Sequence, residues 1–95
     1  MKQNDDNIKK LYKAIIALES EKECSDFFYD LCTIQELQAM SQRLEVAKML
    51  TRNLVYSEIS EKTGASTATI SRVNRSLSYG KGGYSAIIKR LKDEL

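Results

Sequence analysis

The chain has 95 residues, enough for one domain around one modest core. Hydrophobic residues make up 42% and charged residues 29%, and the net charge is +2; this is the balance of a soluble globular protein, not of a disordered or membrane one. Proline is absent, so helices can run unbroken, and no apolar run approaches the ~20 residues that cross a bilayer, so no membrane partner is expected.

The first segment, MKQNDDNIKK, is polar and has no secretory character, which makes a cytoplasmic location the expectation. Ile8, Leu11, Tyr12, Ile15, Ile16 and Leu18 then recur at helical spacing, with Asn4, Asp5 and Asp6 as capping candidates. The stripe is wide, and a wide stripe on a small domain suggests more than one neighbour, such as a second copy of the chain. A short second helix is expected over 25–31, with Ser25 as N-cap and Asp26 at the positive end of the helix dipole. Thr33-Ile34-Gln35-Glu36 is a capping box opening a third helix. That helix carries Leu37, Met40, Leu44, Ala47 and Leu50 and is expected to run to about residue 52, with Asn53 in the left-handed closing conformation. Helices over about 56–63 and 66–78, a flexible loop over 78–83 and a last helix over about 84–94 complete the chain. No strand pattern is present, so the fold class is all-α with about six helices. The whole of 1–95 reads as a single domain.

Chemistry is sparse. There is no histidine, and two cysteines, Cys24 and Cys32, fall short of the roughly four ligands of a zinc site. They are expected as buried, reduced thiols. Neither has a recognisable base partner, and the carboxylates look like solvated helix faces, so an enzyme, a metal and a cofactor are all unexpected.

The distribution of charge is more telling. Residues 1–36 hold five basic and eight acidic side chains, whereas residues 37–95 hold ten basic and five acidic. From Lys62 to Lys92 there are seven Lys or Arg and no Asp or Glu, a stretch suited to facing a polyanion. The segment Tyr56 to Leu77 meets the physical requirements of a helix-turn-helix. Ile59 and Thr63 can face inward, and Ser60 is small enough for a second helix to cross. Gly64 stands where positive φ is needed, Ala65 fills the inside of the turn and Ser66 can cap the next helix. Ile70, Val73 and Leu77 form that helix's inward stripe. Its outward face is Ala68, Ser71, Arg72, Arg75 and Tyr79, with Thr67 and Thr69 on the flanks. Small residues allow close approach to base edges, hydroxyls bond bases or phosphates, and arginines take guanine or phosphate. Ser66, Thr67, Ala68, Thr69, Ser71, Arg72 and Arg75 are therefore the candidate residues for binding double-stranded DNA. The alternative is a helical protein–protein interaction module without DNA binding, which would need exposed apolar anchors on the 66–79 helix, where only Tyr79 qualifies.

Thr33, Arg43, Gly64-Ala65, Ala68-Thr69-Ile70, Arg72, Asn74 and Ser76-Leu77 together form a pattern. On these residues the stretch Thr33 to Leu77 resembles the tryptophan repressor family, in particular its YerC/YecD-type branch. The resemblance implies a six-helix subunit and an intertwined homodimer in which the first three helices and the last interlock and the fourth and fifth read DNA. It implies a transcription regulator, a repressor by family. It also implies an effector site: the positions matching the family's ligand-binding arginines, threonine and serine are Arg43, Arg72, Thr33 and Ser76. Two guanidiniums can stack on a flat ring, and one can pair with a carboxylate. The sequence departs from the tryptophan binders at Val73, where they have glycine, and the segment before the reader is one residue shorter. These departures argue against tryptophan and leave the identity of a small-molecule effector open.

Overall fold

A computed structural model describes the backbone of residues 2–95 and the side chains of residues 4–95. Six helices follow one another: α1 (Lys2–Ile16), α2 (Glu21–Leu31), α3 (Ile34–Thr51), α4 (Tyr56–Thr63), α5 (Thr67–Tyr79) and α6 (Gly83–Arg90). There is no strand among the described residues, so the fold is all-α as the periodicities predict. The chain divides into two compact units, Met1–Leu37 and Gln38–Leu95.

In the first unit two helix starts differ from expectation. α1 begins at Lys2, which places Asn4, Asp5 and Asp6 within the helix rather than at its cap; Asp5 lies in the first turn, where the helix dipole favours a carboxylate. α2 begins at Glu21 and not at residue 25. Its N-cap is Ser20, whose hydroxyl accepts from the backbone N–H of Glu23 at 3.0 Å. The Glu23 carboxylate in turn accepts from the backbone N–H of Glu19 at 2.9 Å. Ser25 has no comparable carboxylate three residues on, and it lies inside α2. Phe27 and Phe28 meet edge to face, with ring centroids 5.7 Å apart. No described residue of this unit is fully buried, and Ile8, Leu11, Tyr12, Ile15 and Ile16 all remain exposed on α1.

The capping box at the start of α3 forms as its spacing predicts. Thr33 Oγ1 accepts from the Glu36 backbone N–H at 3.1 Å, and Glu36 Oε1 accepts from the Thr33 backbone N–H at 2.8 Å. The Thr33 backbone N–H foremost, and the Thr33 side chain after it, stabilise the Glu36 carboxylate and hold its carboxyl below its ordinary value of 4.5. α3 ends one residue before the expected position. Asn53 adopts φ 65°, and the N–H of Leu54 reaches back to the Met49 carbonyl at 3.2 Å, closing the last turn.

The second unit contains the core. Val46 and Ala47 of α3, Ile59 of α4, Ala65 of the turn, and Ile70 and Val73 of α5 are buried in one cluster, against which Leu50, Leu54, Tyr56, Leu77, Tyr84 and Ile88 pack. α4 runs over the predicted residues and ends at Gly64, whose φ is 74°. The loop after α5 is shorter than the predicted 78–83. α5 continues through Tyr79, and α6 starts at Gly83 behind a left-handed Gly82. α6 also ends early, at Arg90, rather than continuing to about residue 94. At Gly80 a Cβ would run into the Ser76 carbonyl oxygen, which is why the chain leaves α5 on a glycine. Both cysteines are free thiols, and both are half-buried rather than fully buried.

Two outcomes test this architecture. Nothing lies within 4 Å of a Cβ built on Gly64, so Gly64→Val should lose stability through backbone strain alone, about 1–2 kcal/mol. Thermal melting should then fall by at least ~5 °C, while Gly64→Asn, which tolerates left-handed backbone, should lose less. For Glu36 the lowered folded value means that its contribution to stability is complete above 4.5 and is lost as pH falls through the folded value. NMR titration should find its midpoint below 4.5, and Glu36→Gln should keep the cap while removing that pH dependence.

Candidate nucleic-acid interface

The turn between α4 and α5 is built from small residues and short hydrogen bonds. The N–H of Gly64 closes α4 on the Ser60 carbonyl at 2.8 Å. Thr63 Oγ1 donates to the Ile59 carbonyl at 2.7 Å and accepts from the Ala65 N–H at 3.1 Å, so one side chain spans the turn. Ala65 is buried, which allows the two helices to approach. Gln42 of α3 donates from Nε2 to the Thr63 carbonyl at 3.1 Å and ties the end of α4 to the central helix. Sequence reasoning had no signal for this contact, because Gln42 is an unremarkable polar position within α3.

α5 starts at its expected cap. Ser66 Oγ accepts from the Thr69 N–H at 3.1 Å and donates to Thr69 Oγ1, also at 3.1 Å. Both hydroxyls are thus engaged in holding the first turn, and the Thr69 hydroxyl keeps its own proton to donate. Ile70 and Val73 are fully buried and Leu77 half-buried, which fixes which face of the helix turns outward. Thr67, Ala68, Ser71, Arg72 and Arg75 are all exposed. Ala68, Ser71, Arg72 and Arg75 line one shallow hollow of about 240 Å³ on this face. Ion pairs among the described residues join Lys22 to Asp26 and Lys48 to Glu45, leaving both α5 arginines without a protein counter-charge. Two like charges three residues apart repel weakly on a helix, and an approaching polyanion relieves that repulsion.

The four positions matched to the effector site fall differently. Thr33 belongs to the first unit, where its hydroxyl caps α3 and it lines a hollow of about 270 Å³ with Tyr29, Cys32, Ile34 and Leu37. Arg43, Arg72 and Ser76 belong to the second unit; Arg43 is half-buried and Ser76 exposed. Of these three, Arg72 lines the α5 hollow. Val73, 1% exposed, is part of the core. Among the described residues no three His, Cys, Asp or Glu side chains gather as a metal site, and no helix is long and apolar enough to cross a membrane.

This arrangement of helices is shared with known proteins. The sequence model of the family described as Trp repressor protein matches residues 6–92. The chain belongs to the Trp repressor family. Within that family it is 50% identical over 84 residues to the uncharacterized protein YerC of Bacillus subtilis (strain 168), covering 88% of this chain and 81% of YerC. A crystal structure of a TrpR-like protein from Eubacterium eligens ATCC 27750 superposes with a TM-score of 0.89 at 54% identity, over 92% of this chain and 90% of that one. A crystal structure of a candidate Trp repressor from Staphylococcus aureus gives the same TM-score at 48% identity, over 94% of this chain and 89% of that one. The Trp repressor resemblance drawn from Thr33, Gly64-Ala65 and the Thr69-to-Leu77 pattern therefore holds across nearly the whole chain.

For this Trp repressor family member the two unpaired arginines make a measurable prediction. If they meet phosphates, each bound charge releases counterions, so Arg72→Ala and Arg75→Ala should each flatten the log–log salt dependence of DNA binding by about 0.9. If one of them takes guanine, its loss should relax preference at a single base pair by roughly 1–3 kcal/mol. Binding isotherms across a salt series, with a duplex selected from a random pool, separate the two outcomes. Unchanged affinity, slope and preference in both variants would remove α5 as the DNA reader.

Proposed function

We propose that the chain is a sequence-specific, double-stranded-DNA-binding transcription regulator, a repressor by family, that acts as a homodimer with residues 1–95 working as one DNA-binding domain. The observation that carries this reading is the outward face of α5. Small residues, free hydroxyls and two arginines without a counter-charge form one surface, held rigid by the buried stripe behind it. Membership of a repressor family supports it further. In this reading Ser66 positions the helix, and Thr67, Ala68, Thr69 and Ser71 approach base edges. Arg72 and Arg75 take phosphate or guanine.

The dimer is supported by the apolar side chains that α1 leaves exposed, with Ile16 at 82% exposure, and by a first unit without a fully buried residue. A helix this apolar on its surface is unfavourable in water unless a second copy covers it. The effector reading is narrower. Thr33, Arg43, Arg72 and Ser76 keep the residue types of the family's ligand site, but Val73 stands where the tryptophan binders have glycine and is locked in the core. This favours a reader oriented by its own packing over one oriented by tryptophan. A regulator of this kind has no catalytic role, and it works where the DNA is, in the cytoplasm of a bacterial-type cell.

Sedimentation equilibrium is expected to give a species of twice the 10.8 kDa chain mass. Selected duplexes should be near-palindromic, with half-site centres about one helical turn, ~34–36 Å, apart. A stable folded monomer at micromolar concentration overturns the dimer. A protein that selects no sequence from the pool overturns the regulator.

A further inference from the structure

Among the described residues Tyr79 is the most exposed of the large apolar side chains, at 87%. It ends α5 and sits beside the tight exit at Gly80. At 3.6 residues per turn, position 79 falls within about 20° of position 68 on the helix wheel and between positions 72 and 75. Tyr79 therefore continues the arginine stripe and points away from Ile70 and Val73. Lys81, also exposed, follows two residues later, and no acidic residue lies between Lys62 and Lys92.

The stripe from Ala68 to Tyr79 is about 16 Å long at ~1.5 Å per residue. The major groove is about 12 Å wide, and a recognition helix places its N-terminal residues against the bases. A stripe of that length runs out of the groove at its C-terminal end and meets the sugar–phosphate backbone. Tyrosine is suited to that position: its ring packs on the sugar, and its hydroxyl donates to a phosphate oxygen.

We propose that Tyr79, with Lys81 beside it, is a backbone anchor that fixes the register of α5 on DNA without reading sequence. The inference rests on α5 being the DNA reader. Its consequences differ from those of the arginines, because a neutral hydroxyl displaces no counterion.

The test uses the full chain and a selected duplex across a salt series, with Arg72→Ala measured alongside. Tyr79→Phe removes only the hydroxyl and should weaken binding about tenfold, the scale of one hydrogen bond to a charged group. The salt slope and base preference should stay as in the parent protein, and the loss should be similar on selected and unselected duplexes. Lys81→Gln should instead flatten the slope by about 0.9. Because Tyr79 is exposed, Tyr79→Phe should keep the parent's melting temperature and sedimentation mass. Parent-like binding by Tyr79→Phe and Tyr79→Ala, with Arg72→Ala weakened, overturns the anchor and leaves the α5 reader standing. Loss confined to one base pair overturns it by making Tyr79 a base reader, and a changed sedimentation mass overturns it by placing Tyr79 in a subunit interface. If the parent selects no DNA, the anchor and the reader fall together.

Discussion

Close approach of α4 and α5 is the constraint on which the rest of the second unit depends. It requires three things at adjacent positions: a backbone that can turn at φ 74°, a residue small enough for the inside of the turn, and a hydroxyl that holds the turn together. Gly64, Ala65 and Thr63 supply them in that order. Once the helices meet, Ile59, Ile70 and Val73 face the same volume, and Val46 and Ala47 of α3 close it. Burying the isoleucine and valine side chains is worth roughly 1.5–3 kcal/mol each before the loss of conformational entropy is counted. The inward stripe then decides the outward one, since side chains three and four apart on α5 share a face.

Charge follows the same division of faces. The first turns of α1, α2, α3 and α4 each carry an acidic residue: Asp5, Glu21 with Glu23, Glu36 and Glu58. Such residues stabilise a helix by complementing its dipole. α5 has none and is started instead by the neutral pair Ser66 and Thr69. A carboxylate there would stabilise the isolated helix, yet it would repel any phosphate that approached that end. The neutral cap fixes the helix without that repulsion.

Elements specified by local chemistry were legible in the sequence. The Thr33–Glu36 box, Asn53, Gly64 and Ser66 all act over a few residues, and each takes the predicted role. The starts of α1 and α2 were misread because several capping-competent residues lie close together. Ser20 prevails over Ser25 through the Glu23 carboxylate three residues on, a signal present in the sequence. The early end of α6 carries no such marker, as Arg90-Leu91-Lys92 has neither glycine nor proline to stop a helix. The outward placement of Thr67, Ala68, Ser71, Arg72 and Arg75 was legible because they share one helix with the inward stripe of Ile70, Val73 and Leu77. Of the effector positions, Thr33 takes a local role that its spacing to Glu36 made legible, the cap of α3.

The competing reading, a protein-interaction face on α5, turns on what that face offers a partner. Interfaces between proteins draw most of their energy from a few buried aromatic or arginine anchors, ringed by contacts that exclude water. α5 does present two arginines and one exposed tyrosine. Around them, however, stand Ala68, Ser71 and Thr67, which are too small to form a water-excluding ring, and the hollow that Ala68 and Ser71 share with the arginines is shallow. Burying two unpaired guanidiniums against a protein would require two well-placed carboxylates to compensate their desolvation. A DNA backbone supplies a negative charge every ~1.7 Å of helix axis and leaves the guanidiniums hydrated at its edge, so the cost falls away. Small residues beside the arginines are a deficit in the first setting and an advantage in the second, where they let the helix sink to the base edges. The same side chains thus weigh toward DNA, the partner proposed above, and against a protein.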